Sequence, residues 1–143
     1  MIRYILSLIV ACAALTAFAD DTSTTAPGLA PGSRFFELRT YHAAPGKLEA
    51  LNARFRDHTN KLFTKHGMTI IGFWIPMNKE GRYENTLVYI LAFPDKAAHD
   101  KAWKEFSADP DWQTIKKDSE ATGKLVEKVD SQFLLATDYS PIK

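Results

Sequence analysis

Apolar residues along the chain follow two periods, and the switches between them mark the elements. In "RFFELRTYHA" they alternate with polar ones, and the aromatic and β-branched content predicts a strand from Phe35 to His42. Such a strand sends Phe36, Leu38 and Thr40 to one face and Glu37, Arg39 and Tyr41 to the other. The period then lengthens: in "APGKLEALNARFRDHTNKLFTKHG", Leu48, Leu51, Phe55 and Leu62 recur at helical spacing. Pro45 and Gly46 open this helix, and Gly67 closes it as a left-handed cap. "MTIIGFWIPM" reads as a strand ending at Pro76, "NKEGRYEN" as a polar hairpin loop, and "TLVYILAF" as a buried strand running up to Pro94. Two helices follow: "DKAAHDKAWKEFSA" has Asp95 as its N-cap, and "DPDWQTIKKDSEATG" has Asp109 as its N-cap with Pro110 in the first helical position. "LVEKVDSQFLLATDY" returns to strand character.

The order β-α-β-β-α-α-β predicts an α+β fold: a ferredoxin-like, split β-α-β antiparallel sheet with helices on one face. The other face then has no helix layer. In the third strand both faces are apolar, with Leu87, Tyr89, Leu91 and Phe93 on one and Val88, Ile90 and Ala92 on the other. An uncovered apolar sheet face argues for a partner, and we expect a homodimer with sheets packed together.

The amino-terminal segment changes the domain count. "MIRYILSLIVACAALTAFADD" has a charge at Arg3, an apolar run from Tyr4 to about Leu15, and Ala17 and Ala19 flanking Phe18. This is the pattern of a secretory signal peptide, too short and wrongly flanked for a membrane span. Residues 1–19 are therefore expected to be cleaved after Ala19 in a periplasmic or secreted protein. A lipid anchor at Cys12 is the rival reading, because Ile9-Val10-Ala11-Cys12 resembles a lipobox. Residues 20–33, rich in Thr, Ser, Pro and Gly, read as a flexible leader, and 34–143 as one domain. Cys12 is the only cysteine, so after cleavage the domain has no disulfide and rests on its core.

Charge is nearly balanced, with 18 Lys and Arg against 17 Asp and Glu, and no basic stripe stands out. That gives no support to a nucleic-acid or anionic-membrane partner and leaves a small, weakly polar ligand as the easier one. No metal or cofactor is expected: His58 and His66 lie eight apart without a Cys or a convergent carboxylate pair, and the sequence has no GxGxxG, P-loop or nucleophile-elbow motif.

The candidate site residues interrupt apolar patterns. At about 100° per residue, Thr59 and His66 fall within the apolar arc of the first helix and His58 lies about 60° from its centre. His58 is the candidate general acid or base, and Thr59 a polar group offered to an otherwise apolar cavity. His66, in the last turn before Gly67, reads as a helix-end residue favoured by the dipole. If Phe36 and Leu38 face the helices, the row Glu37, Arg39, Tyr41 faces the barrel interior of the dimer, where Glu37 must be paired with Arg39 or a symmetry mate. Arg39 and Tyr41 are candidate ligand donors there, and Trp74 and Tyr89 candidate aromatic lining. Trp103, Phe106 and Trp112 read as core.

"FELRTY", "FRDHTNKLFTKHGM", "IGFW", "LVYILAF" and "AWKEFSADPDWQ", in that order, resemble the NIPSNAP domain of the dimeric α/β-barrel superfamily, from about Phe36 to Pro141. The resemblance implies a ferredoxin-like protomer whose sheet meets that of a second chain in a barrel. It also implies relatives that include cofactor-independent monooxygenases, muconolactone-isomerase-like enzymes and haem-binding chlorite-dismutase-like proteins, often with a cavity between sheet and helices. The NIPSNAP branch has no agreed reaction. The trafficking roles discussed for its animal members do not carry over to a chain with a bacterial-type export signal. Two expectations follow: a cofactor-independent monooxygenase-like or isomerase-like enzyme acting on a small molecule in a sheet–helix cavity, or a non-catalytic dimeric binding or protein-interaction module.

Overall fold

The computed structural model describes residues 28–81 and 84–143. The expected signal peptide and Cys12 lie outside them. The chain forms β1 (Phe35–Ala43), α1 (Leu48–Arg54), a π-helical segment (Phe55–Thr59), α2 (Asn60–Lys65), β2 (Thr69–Trp74), β3 (Thr86–Phe93), α3 (Lys96–Ala108), α4 (Pro110–Ser119) and β4 (Val126–Leu135). The strands make one antiparallel sheet in the order β2-β3-β1-β4, the ferredoxin-like arrangement.

The predicted caps are present. Asp95 accepts a hydrogen bond from Ala98 N at 2.7 Å, and Asp109 accepts one from Asp111 N at 2.9 Å. Each satisfies an amide that the first helical turn leaves without a carbonyl. Gly67 has φ +74°, a conformation that lets the chain leave α2 and enter β2 directly.

Cross-strand partners share a face, so the register assigns every side chain. The covered face carries Phe35, Glu37, Arg39 and Tyr41 of β1, paired with Phe93, Leu91, Tyr89 and Leu87 of β3. Against them the helices pack Leu51, Phe55, Leu62, Phe63, Ala102 and Phe106, which form the main core. Phe55 sits at its centre, its ring 5.3 Å from Tyr89, 5.7 Å from Tyr41 and 5.6 Å from Phe73. The bare face carries a second, smaller apolar cluster of Phe36, Ala92, Ala30 and Ala136, with Ile71 and Ile90 against it.

Three expectations need correction. Glu37, Arg39 and Tyr41 face the helices, and Phe36, Leu38 and Thr40 face the bare side, the reverse of the expected orientation. Aromatic bulk is present on both faces of β1, so apolarity could not decide between them; the polar hydrogens that α3 offers to Glu37 do. The end of the expected flexible leader is packed: Leu29 bridges Thr137, Ala30 is buried, and Ala30 N donates to Ala136 O at 2.9 Å. Small residues suffice there because the partner is backbone. Finally, His58 is exposed rather than turned toward the sheet. The π turn closes i to i+5 hydrogen bonds, so each residue in it advances by less than 100°. That carries His58 off the apolar arc and keeps Thr59 on it, 2% exposed.

Candidate functional site

The covered face holds a charged group that an apolar core does not need. Glu37 is 2% exposed. Its carboxylate accepts from Arg39 Nη1 at 2.8 Å, Trp103 Nε1 at 2.7 Å and the Ser131 hydroxyl, and His99 Nε2 lies 3.1 Å away. Burial alone pushes the carboxyl upward. The Ser131 hydrogen bond, the Arg39 charge, the Trp103 N–H and His99 outweigh it and hold Glu37 below its ordinary value. It is thus a carboxylate kept ionised by donors from β1, α3 and β4.

Glu37 in turn orients Arg39. The guanidinium lies 4.3 Å from the Trp103 ring centroid and 5.6 Å from that of Tyr41, a stacked and hydrogen-bonded position that fixes its plane. Arg39 Nε is buried and has no hydrogen-bond partner. Directly across the sheet, Tyr89 is fully buried, and its hydroxyl makes no hydrogen bond of good geometry, with Tyr41 as its polar neighbour. Burial, and then the neighbouring Tyr41, push the Tyr89 phenol well above its ordinary value, so it stays a neutral donor.

Tyr41 connects this group to open space. Its ring meets Tyr89 edge-on at 5.3 Å, and it also lines a cleft of about 330 Å³ between the sheet and α4, with Arg54, Trp112, Glu120, Val126 and Val129. Arg54, nine-tenths buried, bonds Glu120 at 3.0 Å and Ser119 at 3.3 Å, and it lies over Trp112.

Of the candidates named from sequence, the structure brings Arg39, Tyr41 and Tyr89 together. Thr59 is buried, with its hydroxyl donated to Arg54 O at 3.2 Å, where it braces the π turn. Trp74 lies near the other sheet edge, half exposed, its ring so close to Gly72 that an added Cβ would come within 2.8 Å of it. It lines a separate groove with Asn52, Arg56 and Asn60. His58 is exposed and lines two grooves toward α4, one with Lys61 and Asp111 and one with Arg54 and Ser119. His66 ties the end of α2 to the start of α4 through Asp109 at 2.7 Å.

Sequence reading missed Glu37's partners His99, Trp103 and Ser131, and it missed Arg54. A usable signal existed for two of them: His99 and Trp103 are four apart on one helix, so they share a face, and both can donate to a buried carboxylate. Among the described residues, no group of three or more His, Cys, Asp or Glu converges as a metal site. Among the same residues, no helix is long and apolar enough to cross a membrane.

The NIPSNAP family model matches residues 36–141. Among solved structures, a NIPSNAP family protein of unknown function from Agrobacterium tumefaciens str. C58 is 20% identical, with 80% of this chain and 99% of that chain covered and a TM-score of 0.69. An uncharacterized NIPSNAP-like domain protein from Burkholderia xenovorans is 17% identical, with 78% and 91% covered and a TM-score of 0.67. A second NIPSNAP domain protein from that organism is 23% identical, with 75% and 98% covered and a TM-score of 0.61. No curated protein matches the chain. At these identities the likeness carries the fold and leaves the chemistry to the residues.

Proposed function

The chain belongs to the NIPSNAP family, and from that premise we propose that it binds a small molecule in the cleft between sheet and helices at Tyr41. The observation that carries this reading is the pair of unpartnered buried polar atoms, Arg39 Nε and Arg54 Nε, the first beside the Tyr41 ring that lines the cleft and the second on a residue of its wall. Leaving two such groups unpaired costs about 1–3 kcal/mol each, and a fold accepts that more readily where a ligand atom supplies the partner. Arg39, Tyr41 and Tyr89 are the binding residues, and Glu37 positions Arg39.

Binding is preferred to catalysis. Glu37 is saturated with donors and held ionised, which makes it a weak base, and His58 does not line the cleft but a neighbouring groove. A monooxygenase-like or isomerase-like use of the cleft would need a proton-moving group that ligand binding first frees.

A thermal-shift screen of small aromatic compounds tests the proposal. A hit should raise the melting temperature of the wild-type protein and lose its effect in Val129→Trp, which fills the cleft mouth; hits that persist in that variant would overturn it.

A second reading, a dimeric interaction module, is favoured by the bare face, where Phe36, Ile71, Ile90 and Leu134 line a common groove. The two readings are compatible, because they use opposite faces. We further propose export through residues 1–19, tested by sequencing the mature amino terminus for Asp20.

A further inference from the structure

We infer that the cleft takes an anion with an aromatic or apolar body, such as an aromatic carboxylate, and that Arg54 is its anchor. The inference rests on the cleft being the ligand site and adds the ligand's chemical class.

Arg54 is the last residue of α1, and its side chain is 4% exposed. Both of its hydrogen bonds leave from Nη1, to Ser119 and Glu120, while Nε is buried without a partner. The edge of the guanidinium that carries Nε is therefore unpaired, although a planar fork binds a carboxylate best with two parallel N–H groups. Glu120, 23% exposed and joined through one nitrogen, is a partner that an incoming carboxylate can add to or replace.

The π turn sets up this position. Thr59 donates to Arg54 O, so the hydroxyl helps hold the widened turn next to the arginine. This gives a functional reading to a π segment, a feature found frequently at functional sites.

The rest of the lining fits an amphipathic anion. Tyr41, Trp112, Val126 and Val129 supply ring and aliphatic surface. Lys116, Lys124 and Lys128 join Arg54 against Glu120 and Glu127, and Lys128 is engaged by Asp130 at 2.7 Å. That leaves three cations facing two carboxylates. An apolar ring against Tyr41 and Val129, with its acid on Arg54, would use both the apolar and the cationic parts of the wall.

Isothermal titration with benzoate, benzyl alcohol and benzylamine provides the test. Benzoate should bind saturably and at least ten-fold more tightly than either analogue. Arg54→Met should weaken benzoate ten-fold or more while leaving benzyl alcohol unchanged. Arg54→Lys, which keeps the charge and loses the fork, should recover only part of the affinity and serves if Arg54→Met does not fold. Equal affinity for benzoate and benzyl alcohol would overturn the anion assignment and leave the cleft reading standing. Benzoate binding that survives Val129→Trp would overturn both, and no binding of benzoate to the wild type would overturn the inference.

Discussion

The two faces of the one sheet solve different problems. On the covered face, Glu37 and Arg39 are taken out of water and every oxygen of the carboxylate is met by a donor from a neighbouring element. On the bare face, the charged residues of the paired strands gather toward one end, where His42 and Lys128 meet Asp130 at 2.9 and 2.7 Å and all three remain partly exposed. The other end holds the apolar cluster of Phe36, Ala92, Ala30 and Ala136. The difference teaches that a charge enters this protein only where a helix layer can supply hydrogen bonds; a face without helices must stay apolar or wet.

The sharpest way to break that comparison is Glu37→Ala. It leaves Arg39, Trp103, Ser131 and His99 facing a void, and removing one partner of a buried ion pair costs about 3–5 kcal/mol. Urea unfolding should show a loss of that order, and a change below about 1 kcal/mol would mean that the cluster is not holding the layers together.

Ile90→Glu puts a charge on the bare face instead. The protomer should stay folded by circular dichroism while sedimentation at micromolar concentration shifts from dimer to monomer. A wild-type protein that sediments as a monomer would remove the partner from the picture.

Acid tests the buried carboxylates. Glu37 and Asp109 both titrate below their ordinary values of 4.5 and 3.8, Glu37 against its own burial and Asp109 through Lys65 and His66. A carboxylate depressed in the folded state stabilises it above the ordinary value, and that contribution is lost as pH falls through the lowered one. Stability should therefore be level in these groups above about pH 4.5 and fall below it, with a shallower fall in Glu37→Gln.

Tyr89→Phe deletes a buried hydroxyl that makes no hydrogen bond of good geometry. The apo protein should gain about 1 kcal/mol or be unchanged, while cleft ligands bind more weakly. A loss of stability would reveal a partner for that hydroxyl in solution.

The smallest effect belongs to His58→Ala. An exposed side chain that does not line the cleft should change stability by no more than about 0.5 kcal/mol and leave benzoate binding intact. A loss of binding would restore His58 to the site.

Much of this molecule is legible in the sequence because local physics writes it there. Alternation and helical spacing marked the strands and helices, Asp95 and Asp109 announced the helix starts, and Gly67 the stop. The same signals gave the ferredoxin-like order and picked out Arg39, Tyr41 and Tyr89, which the fold brings side by side. What they could not give is the sign of a face. "FFELRTY" has aromatics on both sides, so period two separates Glu37 from Phe36 without saying which one meets the helices. That choice belongs to residues 62 to 94 positions away, His99, Trp103 and Ser131, whose donors exist for Glu37 only once α3 and β4 have packed. The fate of His58 was likewise decided by a single widened turn, a backbone hydrogen-bond shift that changes no residue type and that only the packed helix, with Phe55 locked among Tyr41, Phe73 and Tyr89, selects.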